Sequence, residues 1–166
     1  MASPSPITVP AFAERKSSDQ KLCMLTAYDF PTAELLDQSG VDAILVGDSL
    51  ANVIQGRETT IPVTLDEIIY HAEIVCRAVK HALVVVDMPF LSYHTGIEQA
   101  IANAGRILKQ TGCQAVKLEG NAGQAAIVSS LVDVGIPVMA HVGLRPQSIH
   151  QMGGYRVQRD RESLLR

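Results

Sequence analysis

The sequence predicts an α/β protein whose parallel sheet is assembled from βα units, and three observations predict it. Short, continuous apolar runs alternate with segments of helical periodicity. A glycine repeatedly stands between the end of a helical segment and the next apolar run. Three of the runs also end on a carboxylate: AILVGD at Asp48, ALVVVD at Asp87 and AVKLE at Glu119. A continuous apolar run marks a strand buried on both faces, and in sheets with helical crossovers ligands bind beyond the carboxyl ends of the strands. Acids at those ends therefore converge, and the pattern reads as a metal site.

Taken in order, a polar, proline-bearing lead (Ser3 to Pro6) precedes a short helix around Pro10 to Lys16 and a first strand over Leu22 to Ala27. Residues 1–20 form the lead, and 21–166 form the domain that carries the chemistry. Further strands begin at Ala43, Leu83, Ala115 and Pro137. Thr64 with Glu67, and Thr95 with Glu98, have the spacing of a capping box, in which the threonine oxygen takes an amide of the first turn and the glutamate returns to the cap amide. Ile68, Ile69, Ala72, Val75, Cys76 and Val79 share one stripe of the first of these helices, and Ile101, Ala104, Ile107 and Leu108 share one stripe of the second. Gly40, Gly112 and Gly135 stand where a left-handed helix terminus disfavours any β-carbon. Five such units fit either a small doubly wound sheet or the first part of a (β/α)₈ barrel. A whole barrel usually needs ~250 residues.

At 47% hydrophobic and 19% charged, the chain has the composition of a globular protein with a real core. A net charge of -3, with scattered basic residues, gives no reason to expect a nucleic-acid surface and favours small-molecule chemistry. The N-terminus has no apolar h-region after a basic start, and no stretch approaches the ~20 apolar residues of a membrane span. No membrane association and a cytoplasmic location are the expectation. Cys23, Cys76 and Cys113 lack metal-binding spacing and read as reduced packing residues.

Ser49 follows Asp48, and Met88 and Pro89 follow Asp87, so both acids stand where a strand has stopped. The plain alternative for each is a cap on the next helix or turn. Hard oxygen ligands that leave positions open suit Mg²⁺, whereas zinc would call for more His or Cys. Lys117 and Glu119 are two apart in a strand and share a face, with Val116 and Leu118 on the other. The lysine either pairs with Glu119 or binds an anion. His141 ends PVMAH as the acids end their strands, and is either a site residue or a hydrogen-bonded core histidine. Ser49 could hold a substrate carboxylate or serve the turn. No G-x-G-x-x-G follows a strand and no G-x-S-x-G is present, so a dinucleotide fold and a serine hydrolase have no support.

MLTAYDFPTA, LVGDSLANVIQG, TTIPVTLDEIIYH, VVVDMPFLSY, AVKLEG and GIPVMAHVGLRPQSIHQMGGYRVQ occur in this order. Together they resemble the ketopantoate hydroxymethyltransferase (3-methyl-2-oxobutanoate hydroxymethyltransferase) family, from about Ile7 to Gln158. The resemblance implies a (β/α)₈ TIM barrel of the phosphoenolpyruvate/pyruvate-binding kind, of which this chain holds about the first five βα units. It also implies a homo-oligomer, often a decamer, with Mg²⁺ at the strand ends. Asp48, Asp87 and Glu119 match the family's metal acids, Glu119 partly through water. Asp48, Ser49, Asp87, Lys117 and His141 match positions at the 2-oxo acid. The implied reaction carries a hydroxymethyl group from 5,10-methylenetetrahydrofolate to 3-methyl-2-oxobutanoate through a Mg²⁺-stabilised enolate, giving 2-dehydropantoate in the first step of pantothenate synthesis.

In the family a glutamate at the end of the sixth strand takes the proton. The chain ends at Arg166 before any such strand, and Glu162 in RDRESLLR has the wrong context, so no residue here inherits a catalytic role. A fragment with little transferase activity alone is therefore expected. The alternatives are a non-catalytic fragment or pseudoenzyme, and another Mg²⁺-dependent 2-oxo acid lyase of the same superfamily, against which the YDFPTA and PQSIHQMGGY blocks speak.

Overall fold

The computed structural model describes residues 5–159. Five strands, β1 (Met24–Thr26), β2 (Ala43–Val46), β3 (Leu83–Asp87), β4 (Ala115–Glu119) and β5 (Val138–His141), form one sheet in the order β1-β2-β3-β4-β5. Every pairing is parallel. A doubly wound sheet reverses its strand order at a switch point. This sheet steps in one direction throughout, which is the order of a barrel wall, and the chain is thus built as five successive βα units of a (β/α)₈ barrel.

The helices are α1 (Val9–Glu14), α2 (Phe30–Gln38), α3 (Leu50–Val53), α4 (Leu65–Ala78), α5 (Ile97–Thr111), α6 (Ala125–Asp133) and α7 (Ile149–Met152). At α4 the capping box forms as its spacing predicts: Thr64 Oγ1 accepts from the Glu67 amide at 3.2 Å, and Glu67 Oε2 accepts from the Thr64 amide at 2.7 Å. Ile68, Ile69, Ala72 and Val75 are buried, with Cys76 and Val79 packed at the margin. The predicted box at Thr95 does not form. Gly96, at φ +146, takes the cap position and starts α5 one residue later, so Glu98 falls one place short of the residue that could reach back. The Thr95 hydroxyl bonds the Gln99 side chain instead. Gly40, Gly112 and Gly135 take φ values of +80, +78 and +87, as the terminus chemistry requires.

The first strand is shorter than its apolar run. Leu22 and Leu25 are exposed; at Cys23 the carbonyl still accepts from the Ala43 amide at 3.2 Å, but the amide turns to the Asp42 carboxylate at 2.7 Å. Cys23 is therefore exposed and not a packing residue, whereas Cys113 is buried and burial pushes the half-buried Cys76 thiol up to about 12. The first helix begins at Val9 and ends as a 3-10 turn over Arg15–Ser17. Glu162 and residues 1–4 lie outside the described residues. No helix among the described residues is long and apolar enough to cross a membrane.

The strand period of two divides the sheet into two apolar layers. Ile44, Val46, Val84, Val86, Val116 and Leu118 pack into the cluster that contains the α4 and α5 stripes. Ala43, Leu83, Val85 and Ala115 face the other way, against Ile7, Val9 and Phe12 from the N-terminal segment and α1. A cavity of about 590 Å³ lies on that second face, lined mainly by apolar residues such as Phe12, Val85 and Met139. Asp87, Lys117 and Glu119 continue the same face toward the carboxyl ends of the strands.

Candidate functional site

Parallel register sets the site. It places Asp87 opposite Lys117 and Glu119 opposite His141, so four strand-end side chains share one face on neighbouring strands. Asp48 arrives from the turn after β2, where its amide donates to Asp87 Oδ2 at 3.1 Å. Gly47 makes this approach possible, because a β-carbon there would stand 3.0 Å from Ser49 Oγ and 3.2 Å from Asp87 Oδ2. All three acids are buried, at 4% exposure for Asp48, 3% for Asp87 and 5% for Glu119.

Neither Asp48 nor Asp87 spends its carboxylate on capping the helix that follows. Asp87 Oδ1 accepts from Lys117 Nζ at 2.5 Å, and Asp48 Oδ2 accepts from Gln147 Nε2 at 2.9 Å. Lys117 therefore pairs with Asp87, directly opposite on β3, and not with its own-strand neighbour Glu119. The Ser49 side chain makes no cap bond either, and its hydroxyl lies 2.7 Å from the Tyr28 hydroxyl. His71 Nδ1, 2.7 Å from the Tyr28 carbonyl, anchors that tyrosine. His141 Nδ1 sits 4.0 Å from Glu119 Oε1, beyond hydrogen-bond reach, and burial together with the nearby Lys117 holds the imidazole below its usual range.

Three residues of this arrangement carry no sequence signal of the strand-end kind. Gln147, 6% exposed in the 3-10 turn after β5, donates its backbone amide to Glu119 Oε2 at 3.0 Å and its Nε2 to the Met88 carbonyl at 3.0 Å as well as to Asp48. Tyr93 lies fully buried; its hydroxyl donates to Gln147 Oε1 at 2.7 Å, and the hydroxyl oxygen accepts from the Glu119 amide at 3.2 Å. Tyr28 positions Ser49. Pro146 in the PQS block marks the turn that delivers Gln147, but neutral polar residues in loops leave no periodicity to read.

Desolvation dominates the electrostatics. Burial pushes Asp87 up to about 6, with Lys117 pulling it down and Asp48 pushing it further up. Burial likewise pushes Glu119 up to about 7, opposed by the Gln147 amide and reinforced by Asp48. Three buried carboxyl groups thus share one partly buried ammonium. An added divalent cation would offset that surplus, and the hard oxygen donors fit Mg²⁺ better than a soft metal. As they stand, no three His, Cys, Asp or Glu side chains among the described residues are placed to hold a metal ion together; the carboxylate oxygens bond Lys117, Gln147 and backbone amides.

A pH dependence follows. Because both carboxyls hold protons in the folded chain at pH values where the unfolded chain has lost them, their contribution to stability is greatest below about pH 4 and declines as pH rises to about 7. Thermal melts of the chelator-treated chain should show the midpoint falling over this window, and falling less in Glu119→Gln. Saturating Mg²⁺, which favours the charged forms, should lessen the fall; a midpoint that rises across the window would contradict the assignment.

Residues 6–165 match the family described as ketopantoate hydroxymethyltransferase. A protein of Desulforapulum autotrophicum named 3-methyl-2-oxobutanoate hydroxymethyltransferase is 53% identical over 96% of the chain and 60% of its own length. The chain spans 57–60% of the length of such curated relatives. Among solved structures, phosphoenolpyruvate phosphomutase from Streptomyces platensis subsp. rosaceus superposes with a TM-score of 0.63 at 16% identity, over 81% of this chain and 53% of that one. Phosphonopyruvate hydrolase in complex with oxalate and Mg²⁺ superposes at 0.61 with 10% identity, over 81% and 52%. At these identities the likeness is one of fold.

Proposed function

The chain belongs to the ketopantoate hydroxymethyltransferase family, and on that premise we propose that it contributes the metal- and oxo-acid-binding part of a 3-methyl-2-oxobutanoate hydroxymethyltransferase. The observation that carries the reading is the 53% identity, over nearly the whole chain, to a relative bearing that reaction's name. The buried acids and Lys117 give it a chemical basis. The reaction proposed takes 3-methyl-2-oxobutanoate, 5,10-methylenetetrahydrofolate and water to 2-dehydropantoate and tetrahydrofolate, within a cytoplasmic homo-oligomer. Water enters the balance because the donor's methylene carries no oxygen: a carbon–carbon bond forms at C3 of the oxo acid, and the carbon–nitrogen bonds to the folate break.

Asp48, Asp87 and Glu119 are the residues that would hold Mg²⁺. When bound, the ion supplies electron withdrawal that acidifies the C3 proton of the oxo acid. Lys117 keeps Asp87 charged and brings a second positive charge to the same buried place, where it favours negative charge developing on a keto oxygen. Ser49, held by Tyr28, presents a hydroxyl to the substrate carboxylate. His141, its imidazole held below the usual range, stands 4.0 Å from Glu119 with Nδ1 unpartnered, so it can turn a ring nitrogen to the substrate without adding charge. None of the described residues is given the role of taking the C3 proton. A fold neighbour was solved in complex with oxalate and Mg²⁺, ligands of the kinds the proposal calls for.

Calorimetric titration of 3-methyl-2-oxobutanoate into the chain tests the reading. Binding should require Mg²⁺. Binding that is absent both with and without Mg²⁺, or equal in the two, would overturn it.

A further inference from the structure

We propose that Gln147 is a positioning residue that sets the span between Asp48 and Glu119, and thereby the site's preference for a small divalent cation. The inference rests on the metal reading above and adds to it a residue outside the ligand set. Gln147 bonds both acids at once: side-chain Nε2 reaches Asp48 Oδ2 at 2.9 Å and the Met88 carbonyl at 3.0 Å, while its backbone amide reaches Glu119 Oε2 at 3.0 Å. The turn after β5 is in this way tied to the turn after β2, the end of β3 and the end of β4.

The amide orientation is fixed by chemistry. Asp48 and Met88 offer only acceptors, so Nε2 must face them and Oε1 must face Tyr93, whose hydroxyl donates to it at 2.7 Å. Burial pushes the Tyr93 phenol up and away from ionisation, so it remains a donor. The same hydroxyl accepts from the Glu119 amide at 3.2 Å, which closes the loop back to the strand that carries the acid. Every polar atom of the Gln147 side chain is thus engaged in a buried setting, where an unpaired group is costly and a satisfied network is rigid. A neutral donor is well suited to this task. A lysine or arginine in its place would neutralise Asp48 and compete with a cation, whereas a carboxamide aims the oxygens and leaves their charge.

Rigidity carries the consequence for selectivity. Mg²⁺ demands near-octahedral geometry at short distances, while Ca²⁺ accepts irregular, looser oxygen sets. Loosening the span between Asp48 and Glu119 should therefore harm Mg²⁺ binding more than Ca²⁺ binding. Removal of groups that orient metal ligands typically costs about ten-fold or more in affinity.

The experiment is calorimetric titration of Mg²⁺ and of Ca²⁺ into the chain, its Gln147→Met, Tyr93→Phe and Asp48→Asn variants, with melting midpoints recorded in parallel. Gln147→Met keeps the volume and removes the donors. It should lower Mg²⁺ affinity about ten-fold or more and Ca²⁺ affinity by less than about three-fold. Tyr93→Phe keeps the buried ring, frees the Gln147 amide oxygen and removes the hydroxyl from the Glu119 backbone while leaving every bond to the acids' side chains, and should shift the Mg²⁺/Ca²⁺ ratio in the same direction by a smaller factor; this variant decides the matter if Gln147→Met does not fold. Equal losses for both ions that track a lowered midpoint, or no loss in either variant while Asp48→Asn abolishes binding, would overturn the role of Gln147 and leave the metal site standing. Wild-type binding that Asp48→Asn leaves unchanged would overturn the site itself and the inference with it.

Discussion

Replacing Asp48 by asparagine is expected to weaken Mg²⁺ binding by about ten-fold or more, a change of at least about 1.4 kcal/mol, while the chain keeps its fold. Asparagine matches aspartate in size, and its side-chain oxygen can still accept from Gln147 Nε2, so the contact across the site survives. What disappears is one formal charge in a place almost closed to water, and the attraction of a divalent ion to a buried carboxylate is large there. The same substitution at Asp87 removes the partner of Lys117 as well and is the less clean of the two. Calorimetric titration reads the first quantity and a thermal melt the second. Unchanged affinity with a lowered midpoint would mean that Asp48 serves the turn after β2 and not a cation.

The second large effect is expected at Lys117. Its side chain is 12% exposed and that of Asp87 4%, so Lys117→Met leaves a buried carboxylate without its cation beside two others. Breaking a buried pair from one side costs about 3 kcal/mol or more, against 1 kcal/mol or less for a pair at the surface. The loss should depend on pH. Lys117 lowers the Asp87 value, so its removal pushes Asp87 above about 6, and the carboxyl then escapes much of the penalty by keeping its proton at pH 5. Urea unfolding at pH 5 and pH 8 should show the larger destabilisation at pH 8. A loss below about 1 kcal/mol at both values would place the pair in solvent-like surroundings.

How legible this arrangement is in the sequence differs residue by residue. Asp48, Asp87 and Glu119 stand out because a charge at the end of an apolar run has few structural reasons to be there, and strand geometry then brings such ends to one rim. The shared face of Lys117 and Glu119 follows from the period of two. The partner of Lys117 does not, because register between strands is a property of the sheet, and only the alignment of Asp87 with Lys117 selects the pair that forms. Barrel and doubly wound sheets carry the same run-and-helix pattern; the unreversed strand order separates them.

Local signals fail where a neighbour competes. Thr95 and Glu98 have capping-box spacing, yet Gly96 takes the cap position and the helix starts one residue late. Gln147 and Tyr93 escape notice for a different reason. Uncharged and set in loops, they matter only through contacts 26 to 99 residues away in sequence, which no local pattern records.

The most direct measurement is an anomalous difference map from crystals of the chain soaked in Mn²⁺, which takes the hard oxygen sites of Mg²⁺. A single strong peak within coordination distance of Asp48 and Asp87, with Glu119 bound directly or through one water, is the predicted result. A peak elsewhere, or none at these acids under conditions where Mn²⁺ binds the chain in solution, would contradict the account.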